Sequence, residues 1–264
     1  MPLAALLLAG AGAGFADGLF GIGGGFVVVP ALVLLLPMIG VPADQITHLA
    51  VGTSLATIIF TSIRSVRSHA LRGAVDMAVL KTWAPWVVLG TGFGTLIADR
   101  VSSETLALIF ALGVLGFAVH FLMPRVREHA VAQPMPGGAA RIGLAGGLGL
   151  LSALLGIGGG TITTMVMTLR GAPIHRAIGT ASGMGAIIAL PGTIGFMIIG
   201  YGEPTLPWGS VGFVNLPAAM VIIVTSVLLA PVGVAAAHRL SPKLLRMVFG
   251  IYLVVVGVTM ILGN

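Results

Sequence analysis

The residues best suited to chemistry in this sequence lie in two identical glycine-rich segments. Gly21–Gly25 has the order Gly-Ile-Gly-Gly-Gly, and Gly156–Gly160 repeats it. Consecutive glycines interrupt a helix because glycine is a poor helix former. A helix that restarts after them has unpaired backbone N–H groups with a partial positive charge, which bind a small anion without a buried lysine or arginine. We predict substrate-binding glycines at Gly21, Gly23, Gly24, Gly25, Gly156, Gly158, Gly159 and Gly160.

Close packing of helices is the alternative role for these glycines. Glycines spaced by four residues let two membrane helices approach each other, and Gly10, Gly14 and Gly18 have that spacing. We predict packing for this ladder and ligand binding for the two related glycine segments. Glycine faces of this kind also permit a homodimer.

Hydroxyl side chains near the glycine segments could complete the shell of an oxyanion. Thr161 and Thr163 directly follow the second segment and are the better candidates. The other candidates begin later helical runs at related places in the chain, and they are Thr53, Ser54, Thr180 and Ser182. The alternative for each is a hydrogen bond to a carbonyl of its own helix, the commonest arrangement in apolar helices.

Three ionisable residues are candidates for proton coupling. Asp17 lies four residues before Gly21, and His48 and His175 occupy related places in the two halves. Ionisable groups within apolar segments are functional candidates, and histidine titrates near neutral pH. If the histidines lie at helix ends in water, this role does not apply. The chain has no cysteine, and we predict no catalytic residue, no metal ion and no cofactor.

The composition indicates a multi-pass membrane protein. Hydrophobic residues make up 57% of the 264 residues and charged residues only 8%, whereas soluble domains carry about 25% charged residues. The charge-free runs, such as the one from Arg176 to Glu203, can each supply a span of about 20 residues. The net charge is +6, but the sequence shows no basic face with interleaved aromatic residues. Anionic lipid headgroups rather than nucleic acid are therefore the expected partners. We predict a location in the plasma (inner) membrane.

The chain consists of two related halves. Beside the glycine segments, His48–Thr53 matches His175–Thr180, and Arg100–Ser102 matches Arg239–Ser241. We predict a first repeat at 1–123, a cytoplasmic linker at 124–141 that is rich in proline and glycine, and a second repeat at 142–264. Ten helical segments are expected near 3–20, 26–39, 45–66, 75–98, 104–123, 142–155, 161–169, 176–199, 211–237 and 243–262.

Basic residues predict that the two halves are inverted relative to each other. Eleven of them can all lie on the cytoplasmic side in a single topology, as the positive-inside rule favours, and these are Arg64, Arg67, Arg72, Arg125, Arg127, Arg141, Arg170, Arg176, Arg239, Lys243 and Arg246. Asp44, Asp99, Glu104 and Glu203 then lie outside. The loop after the third segment is inside in the first half and outside in the second. Trp83, Trp86 and Trp208 are predicted to lie at the membrane interfaces.

The segments around the glycines are too short for ordinary spans. Arg141 and Arg170 are both predicted to be cytoplasmic, and the roughly 30 residues between them give about 45 Å of helix. Two full crossings need about 60 Å. We therefore predict an all-α polytopic membrane protein with two inverted homologous repeats of about five helical segments each, with broken, re-entrant helices at the glycine motifs, an architecture typical of secondary transporters.

These residues resemble the TauE/SafE family of sulfite and organosulfur-anion exporters over essentially the whole chain. The resemblance rests on Gly21–Gly25 followed by Pro30, on Gly52-Thr53-Ser54, and on Gly156–Gly160 and Gly179-Thr180 in the second half. It implies an anion permease of the plasma membrane that acts on sulfite, sulfoacetate or related sulfonates. The second half departs from the first, because Met165 stands where Pro30 stands and Ala181 where Ser54 stands.

The function predicted from these features is a secondary transporter that exports a small anion, sulfite or an organosulfonate such as sulfoacetate, coupled to the proton gradient. An anion channel has the same site physics and stays open as the main alternative. An intramembrane enzyme and a purely structural subunit are the others. The enzyme alternative is weak because Thr180–Gly183 only approximates a Gly-x-Ser-Gly element and no His-Glu-x-x-His motif occurs.

Overall fold

The computed structural model describes residues 3–123 and 133–262, and this part of the chain is predominantly helical. All ten predicted segments are helices. Their bounds are α1 Leu3–Phe20, α2 Gly25–Leu35, α3 Ala43–Ala70, α4 Met77–Ala98, α5 Ser103–Leu122, α6 Gly138–Leu155, α7 Gly160–Leu169, α8 Ile174–Ile199, α9 Leu216–Ala237 and α10 Pro242–Leu262. A 3₁₀ turn at Leu36–Ile39 extends α2.

Three of the predicted boundaries are wrong by four or five residues. Helix α3 ends at Ala70 rather than 66. Helix α6 begins at Gly138 rather than 142, so the end of the predicted linker is helical, while linker residues 124–132, with Arg125 and Arg127, lie outside the described residues. Helix α9 begins at Leu216 rather than 211. A small hairpin of β1 Ser210–Val211 and β2 Val214–Asn215 precedes it.

Five of the described helices are long and apolar enough to cross a membrane, namely α1, α3, α6, α8 and α9. Large apolar side chains such as Leu190, Ile198 and Leu228 are exposed on their outer faces, as expected when lipid is the solvent. Helices α2 and α7 have only 11 and 10 residues, about half of a full span. The described part is therefore a multi-pass helical bundle with two short helices.

Glycines bring two pairs of helices into backbone contact. Gly10, Gly14 and Gly18 of α1 face the backbone of α9, where a Cβ on Gly14 would collide with the carbonyl group of Ser226. Gly149 of α6 faces Val87 of α4 in the same way. Helix α1 thus packs on α9 as α4 packs on α6. The predicted packing role of the α1 ladder is confirmed.

Two antiparallel pairs complete the bundle. On α3 and α8, Gly52 lies beside Phe196, and Gly179 lies beside His69. The two helices therefore run in opposite directions along each other. Helices α5 and α10 also run antiparallel, because Gly250 and Gly257 of α10 contact Leu122 and Leu115 in reverse order.

The two ends of the bundle differ in charge. The end of α3, the start of α8 and the end of α9 meet at one end, called the basic end below, which carries Arg72, Arg176 and Arg239. At the opposite end, called the acidic end, the Gln45 side chain donates to Oε2 of Glu203 over 3.2 Å. Which end faces the cytoplasm remains a prediction from the arginines.

The tryptophans that were predicted to lie at the membrane interfaces differ in exposure. Trp208 is 89% exposed, but Trp83 is 1% exposed and belongs to the core. The interfacial prediction is wrong for Trp83. Its side chain is covered because α4 lies against both α6 and α8.

We expect Gly149→Ala to destabilise the pairing of α4 with α6. The added methyl would collide with the Val87 carbonyl, and overpacking of this kind costs about 1–3 kcal/mol. Gly147→Ala is the matched control, because a Cβ there meets no described atom within 4 Å. Thermal unfolding in detergent measures both, and a Gly149→Ala protein as stable as Gly147→Ala would contradict the contact.

Candidate functional site

The two glycine breaks cross and touch each other near the middle of the bundle. The Gly158 N–H donates to the Ile22 carbonyl over 3.3 Å. A Cβ on Gly23 would lie 2.9 Å from Cα of Gly158, and a Cβ on Gly160 would collide with the carbonyl group of Gly21. Several of the predicted site glycines are therefore required for the crossing itself.

Left-handed backbone at the breaks also requires glycine. Gly24 with φ 75° and Gly159 with φ 64° are the N-caps of α2 and α7. An L-residue with a side chain rarely adopts this conformation. Helices α2 and α7 thus restart directly after the breaks, as predicted, and neither has a side-chain cap.

A carboxylate occupies the first break. Asp17 is 0% exposed, and its Oδ1 accepts a hydrogen bond of 2.5 Å from the Gly23 N–H. The Ser65 hydroxyl lies beside the same carboxylate. The second carboxylate oxygen of Asp17, Oδ2, has no hydrogen-bond partner within the described part of the chain. An anion at this break would therefore lie beside the Asp17 side chain, which is either a negative carboxylate or a neutral carboxylic acid.

Aromatic side chains close the start of α2 to a ligand. Phe26, the second residue of α2, is 0% exposed and packs against Phe110, Phe117 and Phe249. The Tyr252 hydroxyl donates to its backbone carbonyl over 2.9 Å. The first turn of α2 is thus surrounded by hydrophobic rings rather than by donors for an anion.

The second break has hydroxyls in place of the carboxylate. Ser152 stands 152 − 17 = 135 residues after Asp17, the same offset as between the two glycine segments. A Cβ built on Gly159 would lie 2.9 Å from Oγ of Ser152. That hydroxyl is fully buried and has no partner among the described residues.

Further unpartnered hydroxyls lie around the same break. Thr161 and Thr164 are 0% and 3% exposed, and neither side-chain oxygen has a partner in the described structure. Three residues apart in α7, they share one side of that helix. Ser62 of α3 is also buried and has no partner in the part of the chain that the structure describes, and it lies next to Gly185, which contacts Gly158. The second break therefore combines an uncapped helix start with four free hydroxyls.

The other predicted hydroxyls have partners within the protein. Thr163 donates to the Gly159 carbonyl of its own helix, and Ser54 donates to the Gly156 carbonyl over 2.9 Å. Thr53 accepts from the Asn215 N–H. Thr180 and Ser182 donate to carbonyls of their own helix, α8. All five hydroxyls are thus paired with backbone groups of the protein.

The two predicted histidines lie at opposite ends of the bundle. His48 is 6% exposed at the acidic end, where its Nε2 lies 2.9 Å from the Ala98 carbonyl. It is therefore buried rather than in water. His175 lies at the basic end, with its ring stacked on His238 at a centroid distance of 4.8 Å. Neither histidine touches a glycine break directly.

Comparison with known proteins decides the family. Residues 6–260 match the family model described as sulfite exporter TauE/SafE. The chain belongs to the TauE/SafE family. It is 35% identical to a probable membrane transporter protein of Haemophilus influenzae over 97% of both chains. It is 26% identical to one of Methanocaldococcus jannaschii, over 99% of this chain and 96% of the relative.

Membership in the TauE/SafE family makes this protein a membrane transporter and not an enzyme, as predicted. A third relative, a probable membrane transporter protein of Bacillus subtilis, is 25% identical over 99% of this chain and 98% of its own. No solved structure matches the chain. The family and the five apolar helices agree on a multi-pass membrane protein.

Sequence reasoning missed several residues of this TauE/SafE protein that the structure brings to the two breaks or the basic end. Ser152 could have been found, because the repeat offset carries Asp17 onto it. Thr164 follows Thr161 at helical spacing. Ser62, His69 and His238 gave no local signal, since their surroundings come from helices remote in sequence.

A cavity of about 540 Å³ lies away from the breaks. Apolar residues of α2, α3 and α5, among them Val33, Ile46 and Leu108, line most of it, with Thr47 and Glu104 at the acidic end. Its lining carries no basic side chain. The cavity therefore provides fewer groups that could bind an anion than the second break does.

Proposed function

We propose that this TauE/SafE protein is a secondary transporter that exports sulfite or an organosulfonate such as sulfoacetate across the plasma membrane, coupled to the proton gradient. The observation that carries this proposal is the second break, where the uncapped start of α7 lies beside the unpartnered hydroxyls of Ser152 and Thr161. The family description, sulfite exporter, supports the same substrate class.

Neutral donors suit a small oxyanion that must bind and leave. Helix N–H groups carry partial positive charge, and each hydrogen bond to a charged group contributes about 1.5–3 kcal/mol. The hydroxyls of Ser152, Thr161 and Thr164 add donors without adding a fixed positive charge. A buried lysine or arginine would bind the anion more tightly and slow its release.

Asp17 provides a physical link between a proton and the anion. The two breaks touch at Gly23 and Gly158, so the carboxylate held at the first break acts on charge at the second. An ionised Asp17 repels an anion in this low-dielectric interior, and protonation removes the repulsion. Binding of a proton and binding of the anion thereby favour each other, so the two cross together and export of the anion is coupled to outward movement of the proton.

We also propose that the halves are inverted repeats with re-entrant helices at the breaks. The packing of α1 on α9 mirrors that of α4 on α6, and α3 pairs with α8 as α5 pairs with α10. In these pairings α1 corresponds to α6, α3 to α8, α4 to α9 and α5 to α10. Helices α2 and α7 are too short to cross the membrane, which supports two half-length helices that meet near its middle.

A homodimer stays a prediction. The ladder of Gly10, Gly14 and Gly18 is used within the chain against α9, so it is not free for a second copy. Gly116 and Gly143 remain open, because a Cβ at either meets no described atom within 4 Å.

Flux in proteoliposomes tests the proposed function. Purified protein should move sulfite or sulfoacetate faster than empty liposomes, with saturation and with counterflow of labelled substrate. Chloride is the control anion. Flux that neither saturates nor shows counterflow would favour the channel alternative. A folded protein that moves none of the sulfur oxyanions would remove the proposal.

We expect Thr161→Val to weaken substrate affinity by about tenfold or more, because a hydrogen bond to a charged group contributes about 1.5–3 kcal/mol. Valine keeps the shape of the side chain and removes the donor. Thr163→Val is the matched control, since Thr163 bonds its own helix carbonyl, and its affinity should change less than about twofold. Equal affinities for the two variants would contradict a site at the start of α7.

A further inference from the structure

Three histidines from three helices form a cluster at the basic end. His69 lies near the end of α3, His175 at the start of α8, and His238 directly after α9. The ring centroids of His69 and His238 are 5.5 Å apart, and those of His175 and His238 are 4.8 Å apart. The cluster thus uses three of the six histidines in the chain.

Each ring of the cluster has a nitrogen that is free to exchange a proton. Nδ1 of His69, Nδ1 of His175 and Nε2 of His238 are buried atoms with no hydrogen-bond partner in the described residues. A structural histidine in an apolar core is usually satisfied at both nitrogens. Three adjacent rings with free nitrogens are better suited to passing protons than to packing alone.

The stacked arrangement does not suit a metal ion. The rings of His175 and His238 are inclined by only 17°, so they face each other instead of pointing their nitrogens at one centre. No group of three histidine, cysteine or acidic side chains within residues 3–123 and 133–262 has the arrangement that holds a metal. Proton exchange remains as the chemistry that the cluster supports.

The inner end of the cluster reaches the surroundings of Asp17. Nε2 of His69 lies 3.2 Å from the carbonyl of Gly18, the residue after Asp17. One turn earlier on α3, the Ser65 hydroxyl lies beside the Asp17 carboxylate and donates to Oγ of Ser182 over 3.0 Å. His69 and Ser65, one turn apart on α3, thus both lie in the surroundings of Asp17.

The outer end of the cluster reaches water. His69 is 0% exposed, whereas His175 and His238 are half-buried. Burial, together with the neighbouring His175 and the charge of Arg72, lowers the pKa of His238 from its ordinary value. The lowered pKa favours the neutral imidazole, which has a nitrogen lone pair that can accept a proton.

Other charged groups around the cluster are positive or already paired. Arg72 donates to the Ser68 carbonyl over 2.9 Å, and Arg239 follows His238 at the surface. Arg176 forms an ion pair with Asp76 at 2.8 Å. Asp17 is thus the carboxylate on the inner side of the cluster that is not matched by an arginine.

We propose that His175, His238 and His69 form a proton path that connects water at the basic end with the Asp17 carboxylate. The proposal rests on the proposed proton coupling and adds the route by which the coupled proton leaves or enters. His69 and Ser65 take the last steps, since His69 contacts the residue after Asp17 and Ser65 lies beside the Asp17 carboxylate. The proton only moves between heteroatoms, so the path consumes no other reactant.

The test separates proton movement from anion movement in the same proteoliposomes. Exchange of labelled for unlabelled anion needs no net proton transfer, whereas uptake driven by a pH gradient does. We expect His69→Gln and the double variant His175→Gln/His238→Gln to lower gradient-driven flux at least tenfold and to leave exchange within about twofold. Arg239→Gln, which changes an exposed charge beside the cluster, should retain both.

Each other outcome overturns the path. Gradient-driven flux that persists in these variants would reject it while the transporter proposal stands. Loss of exchange together with gradient-driven flux in folded protein would show a structural role. Absence of any exchange in the unsubstituted protein would remove the proposed function and the path together, and it is seen before any variant is made.

Chemical modification provides a test that does not depend on the folding of variants. Diethyl pyrocarbonate acylates accessible imidazoles, and His175 and His238 are the half-buried members of the cluster. Treatment of the unsubstituted protein should lower gradient-driven flux at least tenfold and spare exchange. Unchanged gradient-driven flux after complete modification of both rings would overturn the path.

Discussion

Gly160→Ala is expected to abolish the folded transporter. The added Cβ would collide with the carbonyl group of Gly21 and lie 2.7 Å from Cα of Ile22. Both obstacles are backbone atoms of the other break, which is itself enclosed by α3 and α8, so no side-chain rotation relieves the collision. Overpacking commonly costs about 1–3 kcal/mol, and we expect more here because two backbones must separate.

Yield of monodisperse protein and thermal unfolding in detergent measure this effect. Gly25→Ala should behave in the same way, since a Cβ there would collide with the Gly156 carbonyl of the second break. Gly92→Ala on α4 is the control, because a Cβ there meets no described atom within 4 Å. A Gly160→Ala protein with the unfolding temperature of the control would show that the breaks do not touch.

Asp17→Asn is expected to uncouple transport from the proton gradient. The amide oxygen can still accept the hydrogen bond from the Gly23 N–H, so the break keeps its geometry, but the side chain no longer takes up or releases a proton. We expect gradient-driven flux of the anion to fall at least tenfold. Anion exchange should persist, and its rate should lose its dependence on pH.

Two further variants make the result specific to this carboxylate. Asp17→Ala removes the acceptor as well as the charge, and the buried Gly23 N–H left without a partner should lower the free energy of unfolding by about 1–3 kcal/mol. Asp44→Asn, at an exposed position, should retain coupling. Gradient-driven flux of Asp17→Asn equal to that of Asp44→Asn would exclude Asp17 as the coupling group.

The two glycine breaks of this TauE/SafE protein differ in their surroundings. The first break carries Asp17 and is packed with aromatic rings around Phe26, whereas the second carries Ser152, Thr161 and Thr164. A duplicated motif has thereby acquired two different surroundings. We infer that the first break takes part in proton binding and the second break in anion binding.

Much of the architecture follows from the sequence alone. Long charge-free runs must be helical in lipid, because every backbone polar group there needs a partner within its own segment. The glycine runs marked the two breaks, and the ten segments were placed within a few residues of the helices. Boundaries failed where a short hairpin precedes α9 at Leu216 and where α6 begins early at Gly138.

The site could be predicted only in part, because a free donor is not a property of local sequence. Thr161 and Thr163 are two residues apart and look alike in the sequence, yet Thr163 bonds its own helix and Thr161 has no partner among the described residues. Ser54 was an equally good candidate for binding the anion, but its hydroxyl donates a hydrogen bond to the carbonyl of Gly156, which is 102 residues away in the sequence.

The sequence by itself therefore determined that this protein is a TauE/SafE membrane protein with two glycine breaks. Composition and the glycine motifs are properties of the local sequence, and they set membrane insertion and helix interruption without any information on which helices are neighbours. Only the tertiary structure decided that the breaks touch each other, that Asp17 occupies the first, and that His69, His175 and His238 meet at the basic end. Those features depend on which helices become neighbours, and long-range packing sets that.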